Sequence, residues 1–350
     1  YSPFPGSVFS ELMKKWLTAQ YEADNGDISP MIAFVNSSIG IPFEMTNDGV
    51  KEDDLAERGE DYAENTVPRG GLILTMGVDV QHDRLAVIIR AWGRGEESWL
   101  VWWGEIHGNT VDVKSDVWRK LAEMIFQTAY KHETGAGMKI AAVSIDSSDG
   151  NTSDAVYHFV RGCRGVKAVN VMAVKGSTNP DKEIFSRARA IDLKHKNTKA
   201  DKFGVQVYSV GVSRAKDLLI DEHARINLEG SGAGRMHFYK DVRADYCGQL
   251  LSEVKVPSRM NKHKKVWQKK VGVRNEALDC EVYALHAARS VGTHTMSAAK
   301  WALYENALLQ SELFAEPKPV EQVQEKTKAD SGSGFAATRR RKGGNFVTNY

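Results

Sequence analysis

One aspartate, Asp79, ends an apolar run that has the two-residue period of a β-strand. One face of this run carries Leu72, Leu74, Met76, Val78 and Val80, and the other carries Ile73, Thr75, Gly77 and Asp79. Burying an unpaired carboxylate costs several kcal/mol or raises its pKa until the group is neutral, so Asp79 needs a partner. A metal ion, an Arg or Lys side chain, or backbone N–H groups could fill that role.

Two further acids occupy places from which they could reach Asp79. Asp146 ends the apolar run 139–145, and neighbouring parallel or mixed strands would bring two such strand ends into one site. Asp279 lies on a predicted helix, on one face with Glu276, Tyr283 and His286. Converging carboxylates repel one another, and a pair of divalent cations about 3.5–4 Å apart relieves that repulsion. Such a pair activates water and stabilises the leaving oxygen in phosphodiester hydrolysis.

Each acid also has a purely structural explanation. An aspartate at a strand end commonly serves a turn or caps a helix, and Asp146 could cap a helix that begins at Ser153. Asp149 could be a loop residue, Asp83 a turn residue, and Asp279 an exposed position of its helix. The spacing alone therefore leaves metal binding and structural roles open.

The elements around these acids predict an α/β fold with a mixed sheet. Three strand-like runs follow one another through short, turn-rich links, which favours an antiparallel meander. Helices and strands then alternate, which is typical of an α/β arrangement. The predicted strands span 72–80, 85–92, 98–105, 139–144 and 167–174. The predicted helices span 10–21, 113–131, 153–161, 217–228, 245–254, 274–290 and 297–314.

Composition limits the class of protein. The chain has 350 residues, 42% of them hydrophobic, which suits a packed globular core. Its net charge of +2 decides nothing about a polyanionic partner, because binding depends on how charge is distributed. Cys163, Cys247 and Cys280 lack metal-ligand spacing and are expected to be thiols. No apolar run reaches the roughly 18 residues of a membrane span, so a soluble intracellular protein is expected, and the first residue, Tyr1, suggests a fragment.

Basic charge is concentrated just before Asp279. The stretch is interleaved with Trp267 and contains Arg259, Lys262, Lys264, Lys265, Lys269, Lys270 and Arg274. Positive charge beside a carboxylate cluster would give DNA a landing surface that the acids alone would repel. A solvated strand or loop is the alternative. No feature indicates contact with base edges, so cutting is expected to depend on backbone geometry rather than on base sequence.

Three motifs together resemble the nuclease domain of the large terminase subunit of lambda-like tailed phages. They are Gly77-Val-Asp79-Val-Gln-His-Asp-Arg84 followed by Trp92-Gly-Arg-Gly-Glu-Glu-Ser-Trp99, then Ile145-Asp146, and finally Arg274-Asn-Glu-Ala-Leu-Asp279-Cys280. The segment Val171-Met-Ala-Val-Lys175-Gly176 is also similar to a family segment, and it adds Lys175 to the expected DNA-contacting residues. The resemblance runs from about residue 34 to residue 289, and the first and third motifs are specific in this order and spacing.

The resemblance implies an RNase H-like fold and two Mg²⁺ or Mn²⁺ ions. Asp79 would bridge both ions, Asp146 would hold one from the adjacent strand, and Asp279 would hold the other from the C-terminal helix. Glu276 is a further candidate ligand. The family usually places glycines directly after the second acid, whereas this chain has Ser147-Ser148-Asp149-Gly150, so Asp149 competes with Asp146 for that role.

The resemblance also implies a metal-dependent endonuclease that cuts concatemeric double-stranded DNA as it is packaged into a procapsid in the host cytoplasm. The expected partners are DNA, the small terminase subunit and the portal protein, and no membrane. A resolvase or transposase on the same fold is one alternative. A docking module with vestigial acids, which would link the packaging motor to the portal, is another.

The expected domain organisation has three parts. The resemblance also implies an ATPase motor, but no Gly-x-x-x-x-Gly-Lys-Ser/Thr phosphate loop occurs in the chain, so the motor core is expected to be missing. Residues 1–66 resemble the trailing part of that ATPase domain and its linker. Residues 67–292 are expected to form the nuclease domain. Residues 293–350 have the composition of a C-terminal helix and a disordered basic tail. The tail is expected either to engage the portal or to remain solvated, and its basic cluster is Arg339, Arg340, Arg341 and Lys342.

Overall fold

Strands and helices alternate along most of the chain. The computed structural model describes residues 8–24, 29–41, 50–166, 168–187, 204–221, 223–258 and 264–313. The strands are β1 (Gly59–Glu60), β2 (Thr66–Val67), β3 (Ile73–Val80), β4 (Arg84–Trp92), β5 (Ser98–His107), β6 (Tyr130–His132), β7 (Gly137–Met138), β8 (Ile140–Asp146), β9 (Asn170–Gly176), β10 (Val207–Val210), β11 (Met236–Tyr239), β12 (Glu253–Pro257) and β13 (Lys265–Lys269). The helices are α1 (Phe9–Asp24), α2 (Ser29–Phe34), α3 (Glu52–Glu57), α4 (Asp116–Ala122), α5 (Ser153–Cys163), α6 (Val212–Ile220), α7 (Asp245–Leu250), α8 (Glu276–Val291) and α9 (Ala298–Leu313).

Eight of these strands form one mixed sheet in the order β1-β11-β5-β4-β3-β8-β9-β10. Strands β3, β4 and β5 make an antiparallel meander. Strands β8, β9 and β10 continue the sheet in parallel beside β3, and β11 and β1 extend it in parallel beside β5. The predicted α/β fold class is confirmed: one large mixed sheet contains an antiparallel meander and parallel strands, and helices flank it.

Strand β3 lies at the centre of this sheet, and all of its residues are buried. Helix α8 packs across β3, β4 and β8 on one face, and its core side chains join those of α6 and α7. Helices α4 and α5 and the small sheet β2-β6-β7 supply core side chains on the other face. Burial on both faces explains why the run that ends at Asp79 is apolar almost throughout.

Gly77 on β3 determines how closely α8 approaches the sheet. A Cβ atom at this position would lie 2.0 Å from the carbonyl oxygen of Cys280 and 2.6 Å from the backbone nitrogen of Ala284. The hydroxyl of Thr75 donates a hydrogen bond of 2.9 Å to the carbonyl of Ala284. Only glycine permits this backbone-to-backbone packing, which brings the first turn of α8 to the end of β3.

A buried ion pair fixes the same helix to β4. The guanidinium of Arg90 binds both carboxylate oxygens of Glu281, at 2.6 and 2.7 Å, and neither side chain has any exposed surface. The hydroxyl of Tyr246 on α7 donates to the same carboxylate at 2.6 Å. Burying an ion pair removes the solvation of both charges. The bidentate geometry and the additional hydrogen bond from Tyr246 compensate for that loss.

Three predicted helices differ from the structure. The helix predicted at 113–131 begins at Asp116 and ends at Gln127, and Tyr130 instead begins β6. The helix predicted at 217–228 is α6, which begins at Val212 and ends at Ile220, because Asp221 adopts an extended conformation. The helix predicted at 245–254 ends at Leu250, and Glu253 instead begins β12, which pairs antiparallel with β13. Alternating Val254 and Val256 give that segment the period of a strand, and pairing with β13 then decides its conformation.

The ends of the described chain also contact the main fold. Leu55 on α3 is buried, and β1 pairs in parallel with β11, so part of the first 66 residues belongs to the large sheet. Trp301 on α9 packs against Leu72 and Ile73 at the start of β3. The predicted domain boundaries stay predictions. Cys163, Cys247 and Cys280 are buried free thiols, as expected. Within the described ranges, the helices are too short or too polar to cross a membrane.

Candidate active site

The ends of β3 and β8 bring two acids together. In the parallel register of these strands Val78 lies beside Ile145, so the residues that follow, Asp79 and Asp146, leave adjacent strands side by side. Both are buried, with 6% and 7% of their surface exposed. They lie on the face of the sheet covered by α8, since Thr75 and Ser144 on the same faces of their strands bond to that helix.

The first turn of α8 adds the third acid. Asp279 precedes Cys280, whose carbonyl lies against Gly77, two residues before Asp79. Burial raises the pKa of Asp79 well above its usual value, and the negative charges of Asp279 and then Asp146 raise it further. Three carboxylates from two strands and one helix therefore converge closely enough to repel one another.

The same environment acts on the other two acids. Burial raises the pKa of Asp279 to about 6, against the opposing effect of the Lys216 ammonium. Burial also raises the pKa of Asp146, although hydrogen bonds from Ser148 and Tyr283 partly oppose that rise. In ionised form, each of these side chains would gain from a nearby cation.

Each of the three acids has a protein partner in the structure. Gln81 donates to Asp79 at 2.7 Å, Ser148 donates to Asp146 at 2.7 Å, and Asn275 donates to Asp279 at 2.8 Å. In the described part of the chain, no group of three or more His, Cys, Asp or Glu side chains stands ready to hold a metal ion as now oriented. The donor set of the three acids is all oxygen, which is what Mg²⁺ and Mn²⁺ prefer.

Comparison with known proteins identifies the family. The family model described as "Terminase large subunit gpA, endonuclease domain" matches residues 1–301. The chain belongs to this family. Two relatives, each described as "Terminase, large subunit", are those of Escherichia phage lambda and Enterobacteria phage P21. The first is 30% identical over 89% of this chain and 45% of its own length, and the second is 28% identical over 87% and 44%. The chain thus spans less than half the length of these relatives.

A likeness to a solved structure was also found. It is "Thermus thermophilus RuvC structure", with 13% sequence identity and a TM-score of 0.26, covering 63% of this chain and 98% of that one.

Two alternative acids lie in different surroundings from the three that converge in this terminase nuclease domain. Asp149 is partly exposed and pairs with the imidazole of His82 at 2.7 Å. Glu276 is buried but pairs with Arg84 at 2.6 Å and with Arg274. Burial would raise the pKa of Glu276, but the hydrogen bonds from these two arginines lower it instead. Asp146 thus ends the strand next to that of Asp79, whereas Asp149 pairs with a histidine and Glu276 with two arginines.

Sequence analysis missed three residues of the site. The buried ammonium of Lys216 lies 2.7 Å from Glu253 and 3.7 Å from Asp279. Asn275 donates to both of these carboxylates. Lys216 is buried on α6, although a lysine side chain normally reaches solvent. Glu253 lies in a segment that was predicted to be helical. Only Asn275, four residues before Asp279, gave a sequence signal, because one helical turn separates them.

The predicted basic residues that the structure describes lie on the β12-β13 hairpin, at the end of β9 and just before α8. Lys264, Lys265 and Lys269 are exposed on or beside β13, and Lys270 is half-buried. Lys269 donates at 2.8 Å to Asn275, so the end of this hairpin adjoins the acids. Exposed Lys175 follows Val174, which pairs with Asp146. Exposed Arg274 pairs with Glu105 and Glu276. The remaining calls lie outside the described residues: Arg259, Lys262, Arg339, Arg340, Arg341 and Lys342.

Proposed function

We propose that this domain hydrolyses phosphodiester bonds of double-stranded DNA with two bound Mg²⁺ or Mn²⁺ ions. The observation that carries the proposal is the convergence of Asp79, Asp146 and Asp279 in an oxygen-lined site, where burial and mutual repulsion disfavour the ionised carboxylates and a bound cation would stabilise them. Membership of the gpA endonuclease family supports it.

The three acids would divide the work of holding the ions. Asp79 is flanked by the other two and is the one suited to bind both ions, with Asp146 on one from β8 and Asp279 on the other from α8. The ions would supply an activated water and charge stabilisation for the leaving oxygen. Gln81, Ser148 and Asn275 orient the three carboxylates through hydrogen bonds, which is how partners of metal ligands usually act.

The DNA would approach along the basic side of the site. Exposed Lys264, Lys265 and Lys269 on the β12-β13 hairpin and Lys175 at the end of β9 supply charge on two sides of the acids. Lysine ammonium groups contact phosphates without reading bases, so binding would be independent of sequence and strongly dependent on salt.

The cellular role follows from the relatives rather than from the site. Because both are described as terminase large subunits, the domain would cut concatemeric DNA during packaging into a procapsid, in the host cytoplasm. The small terminase subunit and the portal protein would be its partners, the latter through Arg339 to Lys342. Residues 1–66 would be the trailing part of an ATPase domain and its linker, 67–292 the nuclease domain, and 293–350 the C-terminal helix and tail.

A cutting assay tests the proposal. Supercoiled plasmid is incubated with the protein and Mn²⁺, and then with Asp79→Ala under the same conditions. Nicked and linear products should form with the wild type and disappear with the variant. Cutting that survives the substitution would overturn the site assignment. Absence of cutting with every divalent ion tested would favour a docking module instead.

A further inference from the structure

Asn275 does not cap its helix with its side chain and contacts the acidic site instead. It occupies the N-cap position of α8, where asparagine ordinarily accepts a hydrogen bond from the exposed N–H groups of the first turn. Its side chain makes no such bond. The amide nitrogen instead donates to Oδ2 of Asp279 at 2.8 Å and to Oε1 of Glu253 at 3.2 Å. The amide oxygen accepts from Nζ of Lys269 at 2.8 Å.

These contacts hold Oδ2 of the Asp279 carboxylate, whereas Oδ1 has no hydrogen bond from Asn275. Oδ2 is held by the Asn275 amide, whereas Oδ1 lies 3.7 Å from Nζ of Lys216, beyond hydrogen-bond distance. Lys216 is held in turn by Glu253 at 2.7 Å. Asn275 is thus the residue that ties Asp279, the buried Lys216–Glu253 pair and the β12-β13 hairpin into one network.

We propose that Asn275 is a positioning residue, whose amide sets the orientation in which the Asp279 carboxylate holds a divalent ion. The inference rests on the proposed function, in which Asp279 holds an ion. Residues that orient metal ligands are typically worth about 10- to 100-fold in metal affinity. The lost helix cap is the structural cost of this role, since a capping side chain normally stabilises the helix.

The variant Asn275→Ser separates positioning from capping. Serine is as good an N-cap as asparagine, so a merely structural role would survive the change, but serine has no amide to reach Asp279. The measurement is the Mn²⁺ concentration that gives half of the maximal rise in Tm, with the full chain and without DNA. We expect that concentration to rise about 10-fold or more, with Tm in EDTA unchanged or slightly raised.

The matched control is Asn227→Ser. Asn227 is likewise a partly buried asparagine with bonds through both ends of its amide, accepting from the N–H of Val50 at 3.0 Å and donating to the carbonyl of Asp221 at 2.9 Å. It lies in the segment that follows α6, and both of these bonds join residues outside the acidic site. Its Mn²⁺ midpoint should equal that of the wild type.

A second variant covers the case in which Asn275→Ser does not fold. Lys269 is exposed, so Lys269→Met should fold, and it removes the bond that holds the Asn275 amide oxygen. Removing a cation near the acids would by charge alone strengthen Mn²⁺ binding, whereas loss of positioning weakens it. We expect weaker binding. An unchanged midpoint in Asn275→Ser, or tighter binding in Lys269→Met, would overturn the inference. A wild-type protein that Mn²⁺ does not stabilise would overturn the proposed metal site itself.

Discussion

Asp79, Asp146 and Asp279 keep their carboxylates in surroundings that disfavour negative charge. Burial and mutual repulsion raise the pKa of Asp79, and burial raises those of the other two. Hydrogen bonds from Gln81, Ser148 and Asn275 only partly offset that cost. Perturbed acids of this kind concentrate at functional sites, because a structural role would be served more cheaply by neutral side chains.

The choice between Asp146 and Asp149 is tested at this scale. Asp146→Asn should lower the rate of Mn²⁺-dependent plasmid cutting about 100-fold or more, because one oxygen ligand of the proposed ions loses its charge. Asp149→Asn should cut at close to the wild-type rate, since Asp149 pairs with His82 on a more exposed loop. The reverse ranking of the two variants would show that Asp149 is the second acid.

At the scale of elements, the site depends on the fit of one helix to one strand. Helix α8 carries Asp279 on its first turn, Cys280 and Ala284 against Gly77, and Glu281 against Arg90. The contacts that stabilise the helix on the sheet and the contacts that place the acid are therefore separated by only one or two residues. A small displacement of α8 should affect activity as well as stability.

Gly77→Ala tests this dependence. The new Cβ would lie 2.0 Å from the carbonyl oxygen of Cys280, so α8 must move away from β3. We expect the unfolding free energy to fall by an amount near the upper end of the range of about 1–3 kcal/mol. Where the protein remains folded, we expect the cutting rate to fall roughly 100-fold. Urea denaturation and the plasmid assay measure the two effects.

The matched control for that substitution is Gly162→Ala on α5. A Cβ there would meet no heavy atom within 4 Å, and Gly162 lies inside the helix. We expect it to stabilise the protein by about 0.5–1 kcal/mol and to leave cutting unchanged. Equal behaviour of the two variants would contradict the role given to Gly77.

On the scale of the whole described fold, Glu96 joins segments that are far apart in the chain. Its carboxylate binds Arg225 at 2.5 Å and Arg289 near the end of α8 at 3.2 Å, and it accepts a hydrogen bond of 2.9 Å from Thr293. Burial alone would raise the pKa of Glu96, but the charges and hydrogen bonds of the two arginines outweigh it and lower the pKa below 4.5. Its stabilising effect should therefore depend on pH.

Glu96→Gln should lower the unfolding free energy by about 3–5 kcal/mol near neutral pH, because two arginines lose their buried partner. An acid whose pKa is lowered by folding stabilises the native state above its unfolded pKa, and this contribution disappears as pH falls through the native pKa. The difference between wild type and variant should thus persist down to about pH 4.5 and shrink below it. Urea denaturation across this range measures it, and a difference that stays constant into more acidic solution would contradict the assignment.

The sequence allowed the framework of the site to be predicted, and packing decided the rest. The meander and the strands that end at Asp79 and Asp146 could be predicted because their apolar period is local. The buried Lys216–Glu253 pair could not, because it depends on how α6 meets β12, and the period of neither segment indicates that contact. Nor could the pairing of Glu276 with Arg84, which lies 192 residues earlier in the chain. Both contacts join residues that are distant in the sequence.

The central claim is that Asp79, Asp146 and Asp279 bind divalent ions together, and a crystal structure determined with Mn²⁺ tests it most directly. The anomalous scattering of manganese locates the ions independently of the protein coordinates. We expect two peaks about 3.5–4 Å apart, both roughly 2 Å from an oxygen of Asp79, one near Asp146 and the other near Asp279. Peaks at other acids would contradict the account. So would a crystal saturated with Mn²⁺ in which the three carboxylates still contact only their present protein partners.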